Sequence, residues 1–304
     1  MSTDKRHLKF GNSFAIRDSD TLAVLNESLH NIHDILDNND LVNQFCDEYL
    51  EWIKSGTSNT FIGIDTFEYK SYSNGTTESF DKFYMKNHNR RFRCFKGEYM
   101  YHQLAWRNHW PNWKFMEDEK LAENDAVVIS IPFADTGNQH KDHKTILKQC
   151  DKLGIPVLID CAYYGICQGI EFDLSHKSIT DVVFSLSKTF PVAHARIGMR
   201  LTRVDDDDPL FVLNKNGYVN RIGAYIGSKF LLTFGPDFLP ERYRAKQELF
   251  CEHLGVEISS TILFGIGGSD WQEYNRGGKT NRLSFHKYIH QDADIFIKDN
   301  PKNV

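Results

Sequence analysis

Lys188 stands in the run Ser185-Leu186-Ser187-Lys188, and eight residues further on comes Arg196-Ile197-Gly198. Upstream, Asp160-Cys161-Ala162-Tyr163 follows an apolar run. Ser73-Asn74-Gly75-Thr76-Thr77 opens an amphipathic segment with Phe80, Phe83 and Tyr84 on its inner side. Each set has a use if the ligand is an aromatic, phosphorylated pyridinium. A lysine desolvated in a pocket gives up its proton more readily. The neutral amine can then attack an aldehyde and form an imine. A carboxylate at a strand end can pair with a ring nitrogen and keep it protonated, which makes the ring an electron sink. Glycine followed by two threonines at a helix N-terminus suits a phosphate. An arginine adds a charge-assisted contact to that phosphate.

Such residues need a frame, and the hydrophobic pattern supplies one. Residues 1–60 read as helical, with Leu22, Leu25, Leu29, Ile32 and Leu36, then Leu41, Phe45, Tyr49 and Ile53, at intervals of three and four. Phe92–Phe95 is a short strand. Asp125–Ile131, Ile155–Asp160 and Asp181–Ser185 are β-branched apolar runs of the kind buried on both sheet faces. Arg196–Arg203 is a further strand candidate. Lys141–Leu153 reads as a helix stopped by Gly154, and residues 210–248 read as helical again. This alternation predicts an α/β domain in three layers, with a mostly parallel central sheet and right-handed crossovers. Ligands gather at the carboxyl ends of such strands, where Asp160 and Ser185 fall. The expected division is a helical N-terminal arm or small-domain segment (1–60), a large domain (61–245) and a small α+β C-terminal domain (246–304).

In order and spacing, Asp160-Cys161-Ala162-Tyr163, Ser185-x-x-Lys188 and Arg196-x-Gly198 resemble the aminotransferase class I/II family of fold-type I pyridoxal-phosphate enzymes. The resemblance spans roughly residues 60–290 and implies the aspartate-aminotransferase fold. It implies that Lys188 holds pyridoxal 5′-phosphate as a Schiff base and shuttles the proton. Asp160 would pair with the ring nitrogen, Tyr163 would bond the phenolic oxygen, and Ala162 would pack on the ring. Ser185, Ser187, Arg196, Gly75, Thr76 and Thr77 would hold the phosphate. Tyr99 is the stacking candidate, with Tyr101 second. Asn281-Arg282-Leu283-Ser284-Phe285 resembles the family's arginine-led strand, so Arg282 would bind a substrate α-carboxylate. The resemblance further implies a homodimer, with Tyr218–Arg221 as a cross-subunit contributor. Two departures stand out. Ile131-Pro132-Phe133-Ala134-Asp135-Thr136-Gly137 carries Ala134 where the family has an asparagine bonded to the phenolic oxygen. Tyr163 would then serve that oxygen alone, or Asp135 would approach it. The chain of 304 residues is also shorter than typical members, which implies a reduced small domain.

The remaining features narrow the field. The formal net charge of -5, with no basic tract, excludes nucleic acid as an implied partner. No apolar run nears the ~20 residues of a membrane span. The polar N-terminus shows no signal peptide, so a cytoplasmic protein with free thiols at its six cysteines is expected, and the sequons at Asn26 and Asn74 carry no weight. Asp205–Asp208 read as a solvated turn. His140 and His143 have no third ligand at a familiar spacing, and His102, His109 and His194 supply none, so no metal is expected. Gly265-Ile266-Gly267-Gly268 lacks the strand–helix setting of a dinucleotide loop. Trp106, Trp110 and Trp113 read as packing residues. The function that emerges is an aminotransferase acting on small-molecule amines and 2-oxo acids. A lyase, decarboxylase or racemase would share the cofactor residues, and a non-catalytic scaffold could descend from the same fold.

Overall fold

The computed structural model describes residues 7–11, 13–30, 35, 38, 40–104, 113–205 and 208–301. In chain order the elements are α1 (Ser19–His30), α2 (Leu41–Lys54), β1 (Asn59–Ile62), β2 (Tyr69–Ser73), α3 (Thr76–Lys86), β3 (Arg91–Cys94), α4 (Met100–Leu104), β4 (Trp113–Phe115), β5 (Asp125–Ser130), α5 (His143–Leu153), β6 (Val157–Cys161), β7 (Ile170–Asp173), β8 (Ile179–Ser185) and β9 (Gly198–Thr202). Then follow α6 (Pro209–Lys215), α7 (Arg221–Thr233), α8 (Phe238–Leu254), β10 (Glu257–Ile258), β11 (Phe264–Gly267), β12 (Asn281–Ser284) and α9 (Ala293–Asp299).

The β-branched runs become the centre of a seven-stranded sheet of order β2-β9-β8-β6-β5-β3-β4. All its pairings are parallel except those of β9, which runs antiparallel to both β2 and β8. Side chains alternate across the sheet as the pleat requires. Ala126, Val128, Leu158 and Val183 face one way and pack with Phe80, Phe83 and Tyr84 of α3. Val127, Ile129, Val157, Ile159, Val182 and Phe184 face the other and join the main core. There α2 lies on α7 and β2, with the Phe45 ring 5.4 Å from Tyr72 and Tyr49 6.2 Å from Phe184. The register sets Ser130, Asp160 and Val183 side by side, and Ser185 opposite Gly198, which also faces Ser73. The carboxyl ends of β2, β5, β6 and β8 therefore meet on one edge of the sheet.

The C-terminal part is a three-stranded antiparallel sheet, β10-β11-β12, flanked by α8 and α9. Buried Gln247 on α8 anchors it by donating to the carbonyls of Ser259 (3.0 Å), Thr261 (3.0 Å) and Phe264 (2.7 Å). The N-terminal segment closes onto this unit. The Phe10 carbonyl accepts from Ser284 N at 2.9 Å, and the Phe10 ring sits among Phe285, Tyr288 and Phe296.

Several local expectations shift. Residues 210–248 are three helices, broken at Gly217, whose φ is +70°, and at the Phe234–Asp237 turn. The strand expected over 196–203 begins only at Gly198, because Arg196 adopts a left-handed backbone (φ +56°). On α1 the buried face runs through Thr21 and Ser28, whose hydroxyls donate to backbone carbonyls of Asp18 and Val24, while Leu29 stays exposed. Ile32, Leu36, Trp106, Trp110, His109, Asp206 and Asp207 lie outside the described residues. Among the described residues, no helix is long and apolar enough to cross a membrane.

The far end of the sheet is tied by a buried ion pair. Arg93, fully buried on β3, donates to Asp125 Oδ2 at 2.6 Å and to the Lys114, Phe115, Glu119 and Lys120 carbonyls, while Arg91 donates to Asp125 Oδ1 at 2.6 Å. Removing one partner strands a buried charge. Asp125→Ala should lower the unfolding free energy by about 3–5 kcal/mol in urea titrations.

Candidate active site

A cavity of about 460 Å³ opens where the strand ends meet. Asp160 comes to it from β6, Ser130 from β5 and Ser185 from β8, with Ser187 and Lys188 on the loop that follows. Ala162 and Tyr163 follow β6, Thr76 and Thr77 open α3, and Tyr99 precedes α4. Arg196 precedes β9, and Arg282 reaches in from β12. Eleven of the twelve residues singled out from the sequence thus line one cavity. The twelfth, Gly75, sits directly behind the Arg196 guanidinium.

The amine of Lys188 lies among like charges. Burial lowers its pKa most, Tyr163 opposes this, and Arg282, Arg276 and Arg196 lower it further, so the net effect is a proton more easily lost. Its Nζ donates to the Ser13 carbonyl at 2.5 Å and lies 5.7 Å from the Phe14 ring centre. Burial by itself would raise the Tyr163 phenol. Arg282, Lys188 and Arg276 outweigh it and bring the hydroxyl below its ordinary value. The Tyr163 oxygen is 3.4 Å from Arg282 Nη1. Arg282 itself is buried, stacks on the Phe264 ring at 4.1 Å and donates to the Ala134 carbonyl. Its Nε has no protein partner among the described residues.

Asp160 is the one carboxyl lining the cavity among the described residues. Burial, then the charge of Glu98, pushes its pKa up to about 8. Its hydrogen bond within the protein comes from Ala162 N at 3.0 Å. Glu98 is buried too, and burial lifts it to about 7, although Ser130 N (2.9 Å), Ser130 Oγ (2.6 Å) and Tyr99 N (3.2 Å) all donate to it. A cation arriving beside Asp160 would reverse this balance and favour the carboxylate.

Opposite Asp160 is a cradle of a different kind. Gly75 precedes α3 with φ +73°, and a Cβ there would stand 2.4 Å from Arg196 Nη2. A Cβ on Gly198 would meet Gly75 Cα at 2.9 Å, so the two glycines let the loop close on the sheet. Arg196 Nη2 donates to the Asn74 carbonyl (3.1 Å) and to Thr77 Oγ1 (3.0 Å), and the Arg196 carbonyl accepts from Tyr72 OH at 2.8 Å. These contacts hold a non-glycine residue in a left-handed conformation, a strain that clusters at functional sites. Ser185 Oγ accepts from Ser187 N at 3.1 Å and shapes the turn leading to Lys188. A guanidinium, two threonines and a helix N-terminus form an anion site. With a buried carboxyl, a phenol and an uncharged-prone amine in the same cavity, the residues present fit pyridoxal phosphate.

Two expectations, at Tyr101 and Asp135, need correction. Tyr101 does not line the cavity; its hydroxyl donates to Asp81, and its ring packs by Phe80. Asp135 does not approach the phenol either. It is buried beneath Gly97 and Gly278 and accepts from Thr280 Oγ1 at 2.5 Å. Within this chain Asn220 caps α7 and Arg221 donates to the Ile35 carbonyl, while Tyr218 is 78% exposed. His140 stacks on Phe95 at 3.6 Å. Sequence reasoning missed Arg276, Glu98, Ser13 and Phe14. Glu98 stood beside Tyr99 in a strand-end loop and was open to the same positional rule. Arg276 sits in a polar glycine turn and the other two in an irregular segment, which carry no local signal.

Without the cofactor, Asp160 and Glu98 hold protons in the folded state that the unfolded chain releases near pH 4. Folded pKa values above the unfolded ones make stability greatest at low pH and diminish it as pH rises toward 7–8. The stability that Asp160→Asn loses relative to the unsubstituted protein in urea titrations of the cofactor-free form should therefore be larger at pH 5 than at pH 8, since the contribution of this carboxyl is lost as pH rises through about 8.

The profile of the aminotransferase class I and II family matches residues 79–234. No curated protein matches the sequence at a significant level. Among solved structures, the fold is similar to that of the pyridoxal-phosphate-bound C-S lyase from Staphylococcus hominis (11% identity, TM-score 0.67, covering 94% of this chain and 90% of that one). It is similar also to the tyrosine aminotransferase from Leishmania infantum (11%, 0.66, 98% and 98%) and to the histidinol-phosphate aminotransferase from Clostridium acetobutylicum (13%, 0.58, 84% and 81%). The family match takes in the cavity's Asp160, Tyr163, Lys188 and Arg196, at the strand ends where the sheet assembles them. The chain belongs to the aminotransferase class I and II family, and pyridoxal phosphate is its cofactor.

Proposed function

We propose that this protein is an aminotransferase that moves an amino group between an amino acid, or another primary amine, and a 2-oxo acid. The observation that carries the reading is the meeting of Lys188, Asp160 and Arg282 in one cavity, with the lysine's proton loosened by burial.

Bound pyridoxal phosphate supplies an electron sink that stabilises negative charge left on a substrate carbon. Every other part falls to the chain. Lys188, whose buried amine loses its proton more easily, would be the residue that holds the cofactor and the base that moves the proton of the substrate Cα. Asp160 is the carboxyl that would pair with the ring nitrogen and keep it protonated. Tyr163 would serve the phenolic oxygen, and the nearby cations that lower its pKa would also favour an oxyanion there. Ala134 leaves Tyr163 as the side chain serving that oxygen. Arg196, with Thr76, Thr77, Ser185 and Ser187, binds the phosphate, and Gly75 gives the guanidinium its room. Ala162 and Tyr99 line the cavity and would be the side chains that pack against the ring. Arg282 binds the substrate carboxylate and so orients the Cα–H bond. The reading extends to a homodimer, which family membership supports, and to a cytoplasmic location.

Added pyridoxal phosphate should give the visible absorption band of a lysine-bound cofactor, and borohydride should fix the label on the Lys188 peptide. Lys188→Ala should lack the band and turn over amino donors at least about 10²-fold more slowly. A donor that bleaches the band while a 2-oxo acid appears identifies transamination. Ammonia release, loss of carbon dioxide or racemisation would instead identify a lyase, decarboxylase or racemase. Gly75→Ala should weaken cofactor binding by about tenfold or more in equilibrium titrations, since the new Cβ displaces Arg196. Sedimentation equilibrium should return twice the 35.3 kDa chain mass.

A further inference from the structure

The cavity holds more positive charge than the cofactor and a single carboxylate use. Lys188, Arg196, Arg276 and Arg282 line it, against Asp160 alone among the described acids. Arg196 is matched by the phosphate, Lys188 is occupied in holding the cofactor, and Asp160 is matched by the ring nitrogen. Two guanidiniums remain. Neither Arg276 nor Arg282 has a carboxylate within ion-pair distance among the described residues. They lie close enough that Arg282 is the main reason the Arg276 pKa falls, to about 10. Asp135 acts on both, yet it is buried away from the cavity and bonded to Thr280. Among the described residues Arg276 makes one hydrogen bond, a weak one from Nη1 to the Gly11 carbonyl at 3.4 Å. An uncompensated guanidinium in an enclosed site is costly, so its retention beside the reacting centre calls for an anion that arrives with the ligand.

We propose that Arg276 is a specificity-determining residue, and that the amino acid and 2-oxo acid served here carry a second anionic group on the side chain. This inference rests on the aminotransferase reading above. Arg282 takes the α-carboxylate and Arg276 takes the distal anion, a carboxylate or a phosphate-like group. Because Arg276 stands in the loop before β12 and six residues from Arg282, one short segment would present both guanidiniums to the two ends of the ligand.

Calorimetric titration of the pyridoxal-phosphate-loaded protein with glutarate, 3-phosphonopropionate and butyrate tests this without turnover. At least one dianionic acid should bind about tenfold or more tightly than butyrate, and the better of the two identifies the distal group. Arg276→Met should abolish that preference and leave butyrate binding unchanged, while Arg276→Lys should restore part of it. Equal binding of all three acids, or no binding of either dianion, would overturn the proposal. So would an Arg276→Met variant that weakens butyrate as much as the dianions, the result expected if Arg276 merely shares the first carboxylate or anchors Gly11. Amino donors separate this from the functional reading. A protein that forms the lysine-bound band and transaminates L-2-aminobutyrate as well as both L-glutamate and 2-amino-4-phosphonobutyrate refutes the specificity alone. One that binds dianions selectively but yields no 2-oxo acid refutes the transamination alone.

Discussion

The crowding of positive charge around one buried amine is the constraint on which the rest of the site depends. Lys188 can give up its proton because desolvation and three arginines make the charged form unfavourable. The same field draws Tyr163 down, while Asp160 is governed by burial and by Glu98. One cavity therefore holds an amine biased toward neutrality, a phenol biased toward ionisation and a carboxyl biased toward protonation. Each bias is of the kind a charged aromatic phosphate would use or reverse.

Holding like charges together requires a stiff frame, and the sheet provides it. Strand pairing alone fixes Ser130 beside Asp160 and Asp160 beside Val183, two residues before Ser185, since their register is set by β-branched runs buried on both faces. The close contact between Gly75 and Gly198 then brings the α3 N-terminus against the β9 entrance. Arg196 accepts a left-handed backbone there. The cost of that conformation is offset by Tyr72, Asn74 and Thr77, all within hydrogen-bond reach.

Legibility in the sequence followed locality. The apolar runs at 125–131, 155–160 and 181–185 became central strands, because burial on two faces leaves a plain compositional mark. Asp160, Ser185 and Lys188 were legible because the ends of such strands are where ligands sit, and Gly75–Thr77 because helix starts have their own chemistry. Direction was not legible: whether β9 ran with its neighbours or against them depends on a tertiary pairing. Buried Thr21 and Ser28 defeated the leucine pattern of α1, since a hydroxyl bonded to its own backbone can be buried. The choice between Tyr163 alone and Asp135 could not be made for a similar reason, since the position of Asp135 is decided by two distant glycines and Thr280.

The residues hardest to read are those whose role depends on what they do not contact. Lys188 donates to the carbonyl of Ser13 and Arg276 to that of Gly11, both in the N-terminal segment whose Phe10 is bound to β12. Carbonyl oxygens steer a cation without neutralising it. A carboxylate in the same place would form a buried ion pair, and an incoming anion would then have to break it at a cost of several kcal/mol. With carbonyls as partners, the cations keep their positions and most of their charge. An irregular segment can thus do at this site what a regular element cannot, since strand and helix carbonyls are already committed to their own ladders.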